Sequence, residues 1–370
     1  GANLSKTKVK SYLTGLGLSP QVKKETVNTL IPSWRYDLSI EADLIEELAR
    51  LEGYNKLPTE SLRPLPKKKE VTNSHKVSAF LVSQGYSEVI TYSFIDEQDA
   101  NLGSVKKDHL VVSNPISQNM NVMRSSLWPG LVNTYVGNLN NGEENQKLFE
   151  IGSIFKKDKA GSVKEILQVG GLISGKDTGL HWKNKPSSLN FYNLKGDLES
   201  LIDQLTKEAI FESGASSFLH PGKSAKIKVG SKVIGEMGVI HPGVMNQKDL
   251  KGEVLVFTLD INKLIQDGNI KYKNFSRYPV SQRDLAFIVD DSELNSKIIK
   301  LIKSKASKEL VEINTFDVYQ GDNVPEGKKS VAFNLKWQSL SKTLIDEDID
   351  QLVEKIVNSL SKEIKAELRS

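Results

Sequence analysis

Apolar residues near the start of the chain recur every three or four positions. Val9, Leu13 and Leu16 predict a helix, which Gly15 and Gly17 bring to an end. A short strand follows near 27–31. Pro32 breaks it, and a second helix runs up to Gly53 with Ile40, Leu44, Leu48 and Leu51 as its expected buried stripe. Helix, strand and helix in this order predict a small winged-helix-like module over 1–62. Residues 59–72 hold Pro64, Pro66 and three consecutive lysines, and read as a linker. A helix at 73–85, capped by Asn73 or Ser74, opens the next region. Strand-like runs follow at 88–94, 110–112, 148–155, 166–174, 225–229, 233–240 and 254–259, with helices at 125–139 and 194–207. Gly230-Ser231 between two alternating runs is a hairpin signal. Strands grouped together with a few helices inserted predict an antiparallel sheet over 63–272.

The last hundred residues, 273–370, carry the clearest order. A strand at 284–289 precedes a helix at 294–304. A strand at 311–319 and a turn at 321–327 lead to a strand at 330–337. A helix at 346–360, capped by Thr343 or Asp346, and a short strand near Leu368 complete it. That order is β-α-β-β-α-β, the ferredoxin-like arrangement with both helices on one face of the sheet. The fold class is therefore α+β, in several domains.

Composition narrows the chemistry. The chain has 370 residues with 50 basic and 46 acidic side chains, evenly spread. No segment is basic enough to hold nucleic acid mainly through phosphates, so RNA would be bound by local contacts or with a partner's help. There is no cysteine, which excludes disulfides, thiolate metal sites and cysteine nucleophiles. No run approaches a membrane span and no apolar leader opens the chain, so a cytoplasmic protein is expected. Gly1-Ala2-Asn3 leads into the first helix pattern without an initiator Met, as in a piece of a longer polypeptide.

The candidate chemistry sits on the second helix. Asp43, Glu46 and Glu47 are spaced i, i+3, i+4 and share one face, with Asp37 in the preceding turn. Spacing alone leaves two readings open. One is a hard divalent cation, Mg²⁺, held by oxygen ligands. The other is a solvated acidic face neutralised by Arg50, four residues after Glu46, and by Arg35.

Four stretches carry a resemblance to a known family. The first is Pro-Ser-Trp-Arg-Tyr-Asp through Gly-Tyr-Asn-Lys-Leu-Pro at 32–58. The second is Ser-Asn-Pro-Ile-Ser (113–117), Met-Arg-Ser-Ser-Leu-Trp-Pro-Gly-Leu (123–131) and Leu-Phe-Glu-Ile-Gly-Ser-Ile-Phe (148–155). The third is His-Pro-Gly-Lys-Ser-Ala (220–225) with Gly-Val-Ile-His-Pro (238–242). The fourth is Arg-Asp-Leu-Ala (283–286), Phe-Asp-Val-Tyr-Gln-Gly (316–321), Gly-Lys-Lys-Ser (327–330) and Lys-Thr-Leu-Ile-Asp-Glu (342–347). In this order the chain resembles the C-terminal part of the bacterial phenylalanine–tRNA ligase β subunit.

The resemblance implies that Asp37, Asp43, Glu46 and Glu47 hold Mg²⁺ in a complex with an α subunit, in an α₂β₂ assembly. It implies that the middle region is a class II synthetase-like sheet without chemistry. Adenylate-forming members carry Arg-x-Glu after the strand ending here at Phe155, whereas this chain continues Lys156-Lys157-Asp158. A lysine cannot reproduce a planar, two-pronged guanidinium. The Gly-rich segment ending in Arg that closes active ATP pockets is also missing. No ATP site and no adenylate formation are expected of this chain alone, and no editing domain within these residues. Asn114, Pro115, Arg124, His220 and His241 are expected to serve the fold, the histidines through turns. The C-terminal region resembles an anticodon-binding domain. By that likeness Tyr319 stacks on the first anticodon base of tRNA(Phe) and Asp317 bonds its edge, with Arg283 and Arg369 touching the backbone. The competing readings are a metal-dependent phosphoryl or nucleotidyl transferase built on the acidic cluster, which needs carboxylates facing an open cleft, and a free-standing nucleic-acid-binding protein.

Overall fold

The fold is that of a computed structural model describing residues 2–24, 26–59, 72–102, 109–158, 160–177, 179, 181–183, 185–205, 209–214, 216–264, 272 and 274–369. The expected linker, apart from its end residues Thr59 and Thr72, lies outside the described residues, as does the expected boundary at 62/63. The chain divides into two compact units, Gly1–Ile265 and Gln266–Ser370.

In the first unit, the Ser5 hydroxyl accepts the Lys8 N–H at 3.3 Å and starts helix α1 (Lys6–Gly15). Gly17, at φ +77°, takes the left-handed turn that frees the chain for a hairpin of β1 (Ser19–Val22) and β2 (Val27–Leu30). Helix α2 (Glu41–Glu52) packs back on α1 through Leu44 and Leu48 against Leu13 and Leu18. The expected stripe is only half right: Ile40 is 63% and Leu51 37% exposed, so the helix buries a narrower face. Strand β1 was not expected, because Ser19-Pro20-Gln21 offers no apolar alternation. Tyr12 donates to Glu52 at 2.9 Å and Lys8 pairs with the same carboxylate at 2.6 Å, tying α1 to the end of α2.

Next comes α3 (Asn73–Ser83), capped by Thr72 rather than Asn73 or Ser74, its hydroxyl accepting the His75 N–H. Short elements follow: β3 (Ser87–Glu88), β4 (Phe94–Ile95), α4 (Glu97–Ala100), β5 (Leu110–Val111) and β6 (Val122–Met123). The run at 88–94 is thus not one strand. Its ends belong to two different sheets, β3 at the edge of the large one and β4 in a small sheet of order β4-β6-β5. Helix α5 (Trp128–Asn140) leads to the long hairpin β7 (Gln146–Lys157) and β8 (Val163–Ser174). Then come α6 (Phe191–Leu205), β9 (Ala209–Ser213), β10 (Leu219–Val229), β11 (Lys232–Ile240), α7 (Pro242–Gln247), β12 (Val254–Asp260) and α8 (Ile261–Leu264). The large sheet has the order β3-β7-β8-β12-β11-β10-β9 and is antiparallel throughout, except that β3 runs parallel to β7. Alternation along the strands feeds two cores. Leu148, Leu172, Val254 and Val256 pack under α5, while Phe149, Ile173, Leu255 and Phe257 pack under α3 and α6. A sheet covered on both faces explains why these strands read as nearly continuous apolar runs.

The second unit contains β13 (Ser281–Asp290), α9 (Asn295–Lys305), β14 (Leu310–Tyr319), β15 (Lys328–Trp337), α10 (Asp346–Ile364) and β16 (Glu367–Leu368). This is the expected β-α-β-β-α-β order. The strands lie β14-β15-β13-β16, all pairs antiparallel. Phe287, Val289, Phe333, Leu335 and Trp337 face Ile298, Ile302, Ile349, Ile356 and Leu360 of the helices. Among the described residues, the opposite sheet face carries no helix of this unit.

Candidate nucleic-acid interface and acidic helix

The uncovered face of the C-terminal sheet is built by strand alternation. Residues opposite one another across a ladder share a face. Phe333 and Leu335 belong to the core, so Ser330, Ala332 and Asn334 point the other way. Tyr319 pairs with Ser330 and Asp317 with Ala332, which puts both on the uncovered face. A register shift between Thr315 and Asp317 makes this possible, since Thr315 pairs with Phe333 on the core side. Asp317 and Tyr319 therefore share a face, as their spacing implies.

Arg369 joins them from the other edge. Its N–H donates to the Ala286 carbonyl at 2.8 Å, its guanidinium donates to the Ser330 hydroxyl at 3.2 Å, and its Cζ lies 5.5 Å from the Tyr319 ring centroid. The long side chain thus reaches from β16 past β13 to Ser330 on β15. Gly321 leaves room for the ring: a Cβ there would run into the Tyr319 hydroxyl. Tyr319 is 38% exposed, so a ring face is open to a flat partner. Ser330 and Gly321 are parts of this surface that sequence reasoning missed. Ser330 becomes visible only once the register across the bulge is known.

Arg283 is elsewhere. It alternates with Leu285 and Phe287 on the helix side of β13 and donates to Asp346 at 2.6 Å, with Asp350 at 3.6 Å, at the start of α10. Those carboxylates hold its guanidinium further above its ordinary value. The structure does not bring Arg283 to the face that carries Tyr319, Asp317 and Arg369.

On α2, each carboxylate has its own task. Asp37 is gripped by Arg35, whose Nε and Nη2 donate at 2.9 and 2.7 Å. This holds the Asp37 carboxyl below the usual range. Asp43 reaches back to accept the Ser39 and Ile40 N–H groups at 2.7 and 2.9 Å, satisfying donors at the helix start, and those bonds lower its pKa. Glu47 accepts from Arg50 at 2.7 Å and lies 3.4 Å from Arg35. Its pKa is lowered first by Arg50, against some desolvation, and then by Arg35. Glu46 is exposed, and among the described residues it has no partner. Among the described residues no group of three metal-ligating side chains stands close enough to hold an ion. A hard divalent cation needs several oxygens converging at about 2.1–2.6 Å. As arranged, these donors do not fit Mg²⁺: guanidinium groups and backbone N–H groups take the oxygen atoms that an ion would use.

The middle sheet shows what the remaining motif residues do. Arg124 and Glu150, 4% and 2% exposed, pair at 2.6 Å, and Thr91 donates to Glu150 at 2.7 Å. Arg124 also donates to the Ser153 carbonyl at 2.9 Å, in space left by Gly152, where a Cβ would strike the guanidinium. His220 and His241 each accept, on Nδ1, the N–H of the glycine two residues on, at 3.0 Å. These are local turn bonds, the architectural role expected of them. A cavity of about 680 Å³ opens on the α5 face of this sheet, with Lys156 and the α8 lysine Lys263 in its lining. Asp260 in its floor is already bound at 3.0 Å by Lys263.

Comparisons with known proteins agree with this layout. The family described as phenylalanyl tRNA synthetase beta chain CLM domain matches residues 55–261, the ferredoxin-fold anticodon binding domain matches 276–369, and the tRNA synthetase B5 domain matches 1–54. The chain is 36% identical over 376 residues to the phenylalanine–tRNA ligase beta subunit of Hahella chejuensis, covering 100% of this chain and 47% of that one. It is 37% identical over 369 residues to the beta subunit of Sodalis glossinidius, covering 98% and 46%. The chain thus spans about half the length of these relatives. Among solved structures, pyrrolysyl-tRNA synthetase from Desulfitobacterium hafniense aligns over 52% of this chain and 66% of that one, at 14% identity and a TM-score of 0.40. Among the described residues no helix is long and apolar enough to cross a membrane.

Proposed function

Because the chain belongs to the family of phenylalanine–tRNA ligase β subunits, we propose that it is the anticodon-holding, non-catalytic part of that enzyme. The whole enzyme, α₂β₂ in the cytoplasm, attaches phenylalanine to tRNA(Phe) using ATP. Residues 1–62 and 63–272 support the catalytic α subunit, and 273–370 take the anticodon. The observation that carries this reading is the half-exposed Tyr319 ring, beside Arg369 and Asp317 on a sheet face that no helix of this unit covers among the described residues. Base stacking needs an exposed aromatic face on a rigid element, and a guanidinium beside it draws the phosphate chain. Arg283 has no place in this interface. It anchors β13 to α10 instead.

Catalysis by this chain alone has no support in its geometry. Lys156 stands where ATP chemistry calls for an arginine, and the transferase alternative requires carboxylates that are here bound to arginines and backbone. Mg²⁺ on Asp37, Asp43, Glu46 and Glu47 requires that Arg35 be drawn off, a change that docking of the α subunit has to supply.

Tyr319→Ala tests the proposal. Removing the ring is expected to weaken tRNA(Phe) binding by about 1–3 kcal/mol, the usual worth of a base–aromatic stack, with the melting temperature nearly unchanged. A large stability loss with intact RNA affinity would make Tyr319 a packing residue. Pyrophosphate exchange by the purified chain would overturn the non-catalytic part of the reading.

A further inference from the structure

Between β8 and α6 the chain leaves the large sheet and returns to it through a loop with a closed neck. The Lys176–Ser188 bridge holds the two limbs together. So do two backbone bonds at 2.9 Å, from the Leu189 N–H to the Gly175 carbonyl and from the Asp177 N–H to the Ser187 carbonyl. Asp177 adds a clamp, since its carboxylate accepts the Ser187 N–H at 2.9 Å and the Ser187 hydroxyl at 2.6 Å. The neck is also tied to the turn before β7. Gly175, at φ +97°, lies so close to Glu144 and Asn145 that a Cβ would not fit, and Asn145 Oδ1 accepts the Lys176 N–H at 2.8 Å. On the returning limb, Leu189 is buried in the core under α3 and α6.

The pinned loop presents an aromatic and basic tip. Trp182 is 90% exposed, and its ring stacks on His181 with centroids 5.7 Å apart and planes at 29°. One face of the indole is thus braced, and the other is open to a flat partner. Residues 175–190 carry three lysines, Lys176, Lys183 and Lys185, against one acid, Asp177, which is bound to Ser187. Among the described residues none of these lysines stands in an ion pair. The company the ring keeps decides the kind of partner. Protein interfaces enrich Trp but deplete Lys. Single-stranded nucleic acid uses the two together, with a base on the ring and ammonium groups along the phosphates.

We propose that this loop is a second RNA contact, in which Trp182 stacks on an unpaired base of the tRNA and Lys183 and Lys185 meet the flanking phosphates. The inference deepens the tRNA-binding reading and rests on it. Since the C-terminal face takes the anticodon, the base held here lies outside the anticodon arm.

The test measures fluorescence anisotropy of the whole chain with two RNAs, a full tRNA(Phe) transcript and the hairpin of its anticodon arm alone. The wild-type chain is expected to bind the transcript more tightly. Trp182→Ala is expected to weaken transcript binding about tenfold, within the usual range for one base–aromatic stack, and to leave hairpin binding unchanged. Trp182→Phe keeps a ring and is expected to restore most of the affinity. Replacing Lys183 and Lys185 together by Ala is expected to lower the salt dependence of transcript binding by about one phosphate contact per lysine. The altered groups are all exposed, so the melting temperature stays where it was. Transcript affinity that survives Trp182→Ala, or an equal loss on both RNAs, overturns the assignment while anticodon binding stands. If Trp182→Ala instead weakens co-purification with the α subunit and spares RNA binding, the ring is a protein contact and the assignment falls. A wild-type chain that binds neither RNA overturns the tRNA reading itself.

Discussion

Arg35 lies between Asp37 and Glu47 while Arg369 lies over Tyr319, and the two guanidinium groups have opposite consequences for what else can bind. On the ring, a guanidinium leaves a π-face and a positive edge available to a nucleotide. Among the carboxylates, it takes up the negative charge that would attract Mg²⁺. A lysine would do this less well, since one ammonium cannot grip Asp37 through parallel bonds. Arg35→Met removes the built-in cation and leaves Asp37 and Glu47 facing each other across an empty gap. Calorimetric titration of the wild-type chain with Mg²⁺ or Ca²⁺ is expected to give no saturable heat up to about 1 mM, an affinity of only about 4 kcal/mol. The Arg35→Met chain is expected to bind, and to lose that binding again when Asp37→Asn is added. Tight binding by the wild-type chain would show that the ion displaces Arg35 unaided.

At the level of elements, α2 depends on its carboxylates being ionised. Asp43 is held low by two backbone N–H donors, Asp37 by Arg35, Glu47 by Arg50 and Arg35, and Glu52 by Lys8 and Tyr12. Each folded pKa lies below the unfolded one. The stability these groups contribute is therefore full above the ordinary carboxylate range, about 4, and is lost as pH falls through the lower folded values. Between about pH 5 and pH 2, amide signals of α2 are expected to fade before those of the large sheet, and Asp43→Asn is expected to flatten that response. A pH-independent α2 would mean the bonds are not formed in solution. Much of this element was legible in advance: the acid spacing, Pro32 before it and Gly53 after it mark its limits. Its chemistry was not. Nothing in the spacing says that Asp43 turns back to cap its own helix, or that Arg35 rather than an ion sits among the acids, because both depend on how the 33–40 turn folds. The same limit applies to β14. Alternation put Asp317 and Tyr319 on one face, but the bulge that chooses the uncovered face over the core is a property of the pairing. Arg283 was expected there on the likeness alone, and a likeness does not say which face of its strand a residue takes; here it lies on the helix side, paired with Asp346.

Across the whole molecule, the two compact units have separate cores, and a perturbation in one should leave the other's unfolding where it was. The buried Arg124–Glu150 pair provides the sharpest case. It joins the segment around Thr91 to β7 of the large sheet, both partners buried, where water cannot screen it. Glu150→Gln keeps the shape and some hydrogen bonding but leaves Arg124 buried without a counter-charge. Breaking one partner of such a pair costs about 3–5 kcal/mol, far more than a surface pair at about 0–1 kcal/mol. Scanning calorimetry of the wild-type chain is expected to show two transitions, one for each unit, since two compact units that share no core have no reason to unfold in one step. In Glu150→Gln the transition of the first unit moves down by several degrees, while that of the C-terminal unit stays. Hairpin RNA binding at a temperature below both transitions is unchanged, because Tyr319, Asp317 and Arg369 draw nothing from Glu150. A joint shift of both transitions, or a loss of RNA affinity in step with the first, would mean that the face carrying Tyr319 depends on the large sheet for its shape.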